Sequence, residues 1–384
     1  MSTGVAIVGV GEADEIGVVP DKSALDLHAE GAINALGDAG LELGDVDALF
    51  TCGVDFTPTL LVGDYLGIKP RYSSSDSIGG SSFVAHVHEA IMAIDAGACE
   101  VALITHGETR RSNRKRGVPP RPTHDDPWMP DGQWERIYGV AAPPAAYALA
   151  ATRHMHEYGT TSEQLAEIAV ATRNWAALNP RAFHREPITI DDVLASPWMV
   201  YPFHLLDCCL VTDAGGAVVV TSVERARRLG RPVVEVLGSG VAQSHYAISQ
   251  MPDLTESPAR ISGDVAFAQA GVSRDDVDVA QIYDSFTYTV LVELEDLGFC
   301  AKGEGGDFVS GQRTAPGGDF PMNTSGGGLS YTHPGMFGIF LLIEAVRQLR
   351  GECEERQVAD AELAVVSGMG HYLSSAATAV LART

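Results

Sequence analysis

Residues 323–338 read NTSGGGLSYTHPGMFG and run straight into IFLLIEAVRQLR. Three consecutive glycines leave the backbone bare of side chains. His333, Pro334 and Gly335 then stand on a constrained turn immediately ahead of a helical pattern, because proline fixes its own φ. Histidine is the natural proton carrier near neutral pH. A glycine-rich turn that enters a buried helix is a place where α/β enzymes mount chemistry, so the segments around this one decide the fold.

Three other stretches share its grammar. SSSDSIGGSS at 73–82 precedes FVAHVHEAIMAIDAGA, a run with helical spacing. Its Asp76 is a candidate helix cap, base or nucleophile. YDSF at 283–286 joins the apolar DVAQI to the helical TYTVLVELEDLGFC. A phenol at such a junction, Tyr283, can exchange a proton with a reacting oxygen. VSGMGH at 366–371 ends the apolar AELAVV, and the N–H groups around Ser367, Gly368 and Gly370 are candidates for an oxyanion hole. For each stretch the plain alternative is a satisfied core residue or an ordinary turn.

The wider pattern alternates. Val5–Val10 reads as a buried strand, Ser23–Leu36 as a helix with Ser23 as N-cap, DVDALFTCG and CEVALITHGE as further strands. Such βαβαβ order implies a largely parallel sheet covered by helices. The alternation restarts at Val233, so two halves are expected, 1–225 and 226–384, with a site near strand ends at their junction. Residues 108–138 break the pattern as a polar, Pro- and Arg-rich loop excursion. Its Arg110, Arg111 and Arg114, with Lys115 and Arg116, are either a solvated face or a contact for a phosphorylated ligand such as the nucleotide end of coenzyme A.

Composition narrows the function. The 384 residues carry a formal charge of −24, which argues against nucleic acid as a partner. The start lacks the basic and long apolar regions of a signal peptide, and no stretch approaches the roughly 20 apolar residues of a membrane span. The six cysteines are scattered without zinc spacing. A reduced cytoplasmic enzyme without a metal is expected.

Taken together and in order, these stretches resemble the thiolase superfamily from end to end. Asn323, Gly326, Gly327, His333 and Pro334 fall on its Asn-x-x-Gly-Gly…Gly-His-Pro block, with Thr332 where glycine is usual. Tyr283 stands at the Asn of the Asn-Glu-Ala-Phe motif, and Phe286 matches its Phe. Residues 73–82 occupy the turn of the nucleophilic cysteine, with Asp76 in its place, and Ser367 lies near the second catalytic cysteine, where Gly368 and Gly370 resemble the closing Cys-x-Gly. The resemblance implies duplicated βαβαβ halves layered α-β-α-β-α, a coenzyme A thioester as substrate, no bound cofactor and a homodimer.

The missing cysteines matter, since thiolase chemistry depends on a thiolate. Cys52, at a strand end, is the least unsuitable replacement. YDSFTYTVLVELEDLGFC looks most like the sterol-carrier or lipid-transfer branch, which includes steroid side-chain aldolases working with a small OB-fold partner protein of the acyl-CoA-associated type. That resemblance implies retro-aldol cleavage of a β-hydroxyacyl-CoA. Tyr283 would act as acid/base, His333 as proton carrier, Asn323 as support, Gly368 and Gly370 as oxyanion donors, and Asp76 as base or water-orienting group. Claisen-type acyl transfer and a non-catalytic acyl-CoA-binding subunit are the rival expectations.

Overall fold

The computed structural model describes residues 3–117, 127–140 and 142–384. Its first half contains β1 (Val5–Glu12), α1 (Ala24–Ala39), β2 (Ala48–Phe50), β3 (Tyr72–Ser74), α2 (Ser82–Asp95) and β4 (Val101–Thr109). Two helices follow the excursion, α3 (Pro143–Tyr158) and α4 (Ser162–Leu178), before β5 (Asp213–Ser222) closes the half. The second half contains β6 (Val234–Gln243), α5 (Ala259–Ala270), β7 (Val279–Ile282), α6 (Thr287–Asp296), α7 (Gly338–Arg350), β8 (Leu363–Gly370) and β9 (Ser375–Arg383).

Local chemistry explains the boundaries. Ser23 caps α1 as the sequence implies: its hydroxyl accepts from Asp26 N–H, the Asp26 carboxylate accepts in return from Ser23 N–H, and Gly40 ends the helix in the left-handed region at φ 71°. β1 is buried at every position, so it reads as a continuous apolar run with no polar face.

The nine strands form one sheet in the order β3-β2-β4-β5-β1-β6-β9-β8-β7. Outward from the central β1/β6 pair, the first half runs β1, β5, β4, β2, β3. The second runs β6, β9, β8, β7 and then Met322, which bridges to Ala280 in parallel. The same plan is thus laid out twice. The outer pairs β3/β2, β2/β4 and β7/β8 are parallel, as the alternation implies. The inner pairs are antiparallel, so the sheet is mixed. The reason is connectivity: β8 and β9 are joined by the short turn 371–374, and β5 returns to β4 after the excursion instead of through a single crossover helix.

The sheet folds around two central helices. α2 and α7 pack on each other and on strands of both halves, while α1 covers the outer face of β1, β4 and β5 and α5 that of β6, β8 and β9. This gives the expected α-β-α-β-α layers. The excursion is more ordered than its composition implies: it forms short helices at Arg110–Lys115 and Pro130–Trp134. Residues 118–126 of that stretch lie outside the described residues. Among those described, no helix is long and apolar enough to cross a membrane.

Candidate active site

The ends of β7 and β8 and the starts of α2 and α7 meet at the interface of the halves. Tyr283, the residue after β7, is held there by its own N–H, which donates to Ser367 O at 3.0 Å. Its hydroxyl accepts from Phe337 N–H at 3.2 Å, at the N-terminus of α7, and lies 3.0 Å from His333 Nε2. Burial pushes His333 down to about 4, and the nearby charge of Arg110 adds to the effect. Burial pushes the Tyr283 phenol well up. Both groups are therefore neutral near pH 7. With Phe337 donating to the phenol oxygen, the phenol O–H donates to Nε2.

His333 is pinned from the first half of the chain. Its N–H donates to Thr212 Oγ1 at 2.8 Å, and Thr212 N–H donates to His333 O at 3.3 Å. Thr212 Oγ1 in turn shares a hydrogen bond of 2.7 Å with Thr332 Oγ1. The threonine at the family's glycine position thus braces the histidine that follows it. The loop ahead, Gly327–Tyr331, is a wide helical turn in which Tyr331 N–H reaches back to Gly326 O at 3.0 Å. Such π-type turns are frequent at functional sites.

Asn323 is buried with φ 51°, a conformation that asparagine tolerates better than most residues. Its Oδ1 accepts from Ile282 N–H at 2.8 Å, which ties the loop to the end of β7. Its Nδ2 is buried without a hydrogen-bond partner among the described residues. Such an orphan donor is costly unless a ligand or water satisfies it. Ser367 faces elsewhere: its hydroxyl donates to the buried Glu293 at 2.5 Å. Gly368 and Gly370 lie in the ladder opposite Ala377 and Ser375. Their missing side chains let the strand end press on residues 78–81, where a Cβ on Gly370 would stand 1.9 Å from Ile78 O.

Asp76 does not join this group. Its side chain is exposed, and its backbone carbonyl, not its carboxylate, is engaged by His86 Nε2 at 2.9 Å. It is not the cap of α2 either, since Ser81 occupies that position. The residue of this turn that faces the pair is Gly80. A Cβ built there would lie 2.3 Å from Tyr283 Cζ and 2.4 Å from its hydroxyl. The phenol fills the space that any side chain at position 80 would need.

The arginines divide. Arg111 is committed inside the protein, with Nη1 donating to Val211 O at 3.1 Å and its guanidinium 4.9 Å over the Phe183 ring. Arg114 is exposed, and Arg110 is half-exposed near Gly335, beside Glu108 at 3.8 Å. Five of the six cysteines offer no thiolate, because burial raises Cys99, Cys208, Cys209, Cys300 and Cys353, while Cys52 is buried just past the end of β2. Cys209 lies near Tyr283, but burial pushes it up to about 12, and burial likewise raises Cys99 to about 11 and Cys300 to about 12. Sequence reasoning missed Gly80, Thr212 and Asp284; the paired glycines at 79–80 were the available signal for the first.

With this geometry in hand, comparison with known proteins is specific. The Thiolase C-terminal domain-like family profile matches residues 240–383. The 17-hydroxy-3-oxo-4-pregnene-20-carboxyl-CoA lyase of Mycobacterium tuberculosis is 39% identical over 386 residues, spanning 98% of this chain and 96% of that protein. The steroid side-chain-cleaving aldolase of Thermomonospora curvata is 37% identical over 376 residues, spanning 95% of each. The solved Ltp2-ChsH2(DUF35) aldolase superposes with a TM-score of 0.89 at 34% identity, over 100% of this chain and 98% of that one. The chain belongs to the thiolase superfamily, on its sterol-carrier-like branch beside the steroid side-chain aldolases.

Proposed function

We propose that this protein is an acyl-CoA carbon–carbon lyase that cleaves a β-hydroxyacyl-CoA by a retro-aldol reaction, with a steroid or other lipid side chain as the acyl group. The observation that carries the reading is the Tyr283–His333 hydrogen bond, lodged in the space that Gly80 leaves open. The substrate's β-hydroxyl gives its proton to Tyr283 Oη as the phenol passes its own to His333 Nε2. The Cα–Cβ bond then breaks. Its electron pair moves toward the thioester carbonyl as an enolate, and the β-carbon leaves as a ketone or aldehyde. The proton held on His333 returns through the phenol to the α-carbon. No covalent intermediate is needed, so the raised thiols and the exposed Asp76 take no part.

Two features support the rest of the machinery. The unpartnered Nδ2 of Asn323 is a donor suited to the enolate oxygen, a role for which it is preferred over Gly368 and Gly370 in the strand ladder. Phe337 N–H, at the start of α7, favours negative charge on the phenol oxygen during the transfer. Arg110 and Arg114 are the proposed contacts for coenzyme A phosphates.

The partner and assembly readings extend this. Trp128, Trp134, Ile137 and Tyr138 are exposed, three of them by more than 60% and Tyr138 by 78%, on the excursion. Such a patch suits a small acyl-CoA-associated partner protein. The edge strand β3, which begins at Tyr72 and has Phe56 96% exposed nearby, suits self-pairing into a homodimer. Six unlinked thiols, three buried and three partly buried, fit a reducing cytoplasm.

The test is to incubate the purified protein with β-hydroxyacyl-CoA and β-ketoacyl-CoA thioesters, with and without its partner, and follow products by mass spectrometry. Release of a ketone and a shortened acyl-CoA without added free coenzyme A is expected. A trapped acyl-enzyme would overturn the reading in favour of acyl transfer. Binding without turnover would leave a binding subunit.

A further inference from the structure

We infer that Asp284 is the positioning residue of this site: gripping the glycine loop from the position next to Tyr283, it sets the distance between Tyr283 Oη and His333 Nε2. The inference rests on the acid–base reading of that pair.

Asp284 is fully buried, and both carboxylate oxygens are spent on the loop that carries His333. Oδ1 accepts from Gly328 N–H at 2.7 Å and Oδ2 from Leu329 N–H at 3.1 Å. The glycines are what allow this grip. Gly327 sits at φ +56°, and a Cβ there would stand 2.1 Å from Asp284 Oδ2. A Cβ on Gly328 would stand 3.0 Å from Asp284 Oδ1 and 3.1 Å from His333 Cδ2. The carboxylate and the imidazole therefore press on the same glycine from different sides. A second strap runs the same way: Cys209 N–H donates to Ser285 O and Leu210 N–H donates to Gly328 O, each at 2.9 Å. The backbone that presents the phenol and the backbone that presents the histidine are thus clamped as one piece, with the carboxylate at its centre.

The charge state of this clamp is sensitive to pH. Burial pushes Asp284 up to about 7, against the pull of the two loop N–H groups. The titratable groups facing it are Cys209 on the strap, Glu293 on α6, Tyr283 beside it and His333 across the loop. Burial moves each of these toward its neutral form: Cys209, Glu293 and Tyr283 are raised, and His333 is lowered. Asp284 is brought to about 7, so its charge changes near neutrality. Once protonated, one of its oxygens carries a hydrogen and becomes a much weaker acceptor, so one of the two loop hydrogen bonds is weakened.

The experiment has two arms. In the kinetic arm, kcat and KM are measured from pH 5.5 to 9 for the wild type, Asp284→Asn and Gly328→Ala. Because a small misplacement of reacting groups costs on the order of 100-fold, Asp284→Asn is expected to lower kcat by about 30- to 100-fold. Its KM should stay within about threefold, and the acid limb near pH 7 should disappear. Gly328→Ala should lower kcat similarly and keep the limb. In the second arm, the His333 side chain is followed by NMR in ring-labelled wild-type protein, assigned by its loss in His333→Gln. Its resonance should shift with a midpoint near pH 7 although the ring itself does not titrate there, and the shift should vanish in Asp284→Asn. A flat trace in the wild type, or an Asp284→Asn enzyme with unchanged kcat and an unchanged limb, overturns the inference. If no thioester is cleaved, the lyase reading fails while the NMR arm still decides the role of Asp284.

Discussion

The turn at residues 75–81, which enters α2, and the loop at 323–337, which enters α7, occupy matching places in the two halves of the sheet plan. The first follows β3 and the second follows Met322, each the outermost position of its half. The second loop presents His333, holds an orphan amide on Asn323 and places Phe337 N–H on the phenol. The first presents no reactive side chain to the centre: Asp76 faces solvent, and Gly80 faces Tyr283. In the proposed reaction one half supplies the proton-handling groups, and the other supplies the room for them. The bare position at Gly80 is where a phenol from the opposite half takes up the central position.

That contrast can be broken most sharply by removing the phenol. Tyr283→Phe keeps the ring and deletes the relay, and general acid–base groups contribute about 10²- to 10⁴-fold, so a loss near 10³ in kcat is expected in the thioester assay. An enzyme with full activity after combined Tyr283→Phe and His333→Ala changes would sink the acid–base reading altogether.

Filling the vacancy comes next. Gly80→Ala places a methyl 2.3 Å from Tyr283 Cζ, an overpacking expected to cost about 1–3 kcal/mol in denaturant unfolding and about 10² in kcat through displacement of the phenol. The comparison is sharpened by a double-mutant cycle. In a Tyr283→Ala background the stability cost of Gly80→Ala should shrink without vanishing, because the phenol clash is relieved while Met369 O still stands 2.5 Å from the new Cβ. Independent, additive costs would mean that the two side chains do not compete for one volume.

The third test uses pH. His333 is buried, with its folded pKa lowered from 6.5 to about 4. The folded state resists protonation that the unfolded chain accepts, so this group removes stability as pH falls from about 6.5 to 4. Asp284, raised from 3.8 to about 7, acts with the opposite sign: it is more favourable when protonated and costs stability as pH rises through that window. The shift of about 2.5 units corresponds to at most roughly 3 kcal/mol. Thermal unfolding of His333→Gln should lose less stability than the wild type between pH 6.5 and 4. Equal losses would show that acid sensitivity resides elsewhere, for example at His86, which burial also lowers to about 4.

The smallest effect is expected at Asp76. With its carboxylate exposed and uninvolved, Asp76→Ala should leave kcat within about twofold, as for a surface substitution. A loss of 100-fold would restore the first turn to the chemistry and remove the contrast.

The layered fold was legible because alternation of buried strands with capped helices leaves a strong periodic signal, as at β1 and at Ser23 ahead of α1. The antiparallel centre of the sheet was not, because direction depends on how the chain returns through the excursion and the 371–374 turn, which apolar periodicity does not encode. Tyr283 and His333 were legible as side chains able to move protons at a strand end and on a glycine-rich turn. Asp76 was misleading for the converse reason: it is the reactive-looking residue of its turn, while the position that matters carries only hydrogen. The Arg111 guanidinium looked available in a polar loop, yet its partners, Val211 O and Phe183, are distant in sequence. Asp284 stood beside a more conspicuous tyrosine, and its place emerges only when Gly327 and Gly328 are seen to rest against it.

Thr212 and His333 are 121 residues apart in the chain and hydrogen-bonded in the site. A contact of that range closes late, since a long stretch of chain must be ordered before it forms. Neither half can therefore assemble a working centre by itself during synthesis or refolding. Recovery of enzymatic turnover should lag behind recovery of secondary structure and coincide with docking of the halves, which makes turnover itself a clock for the last step of folding.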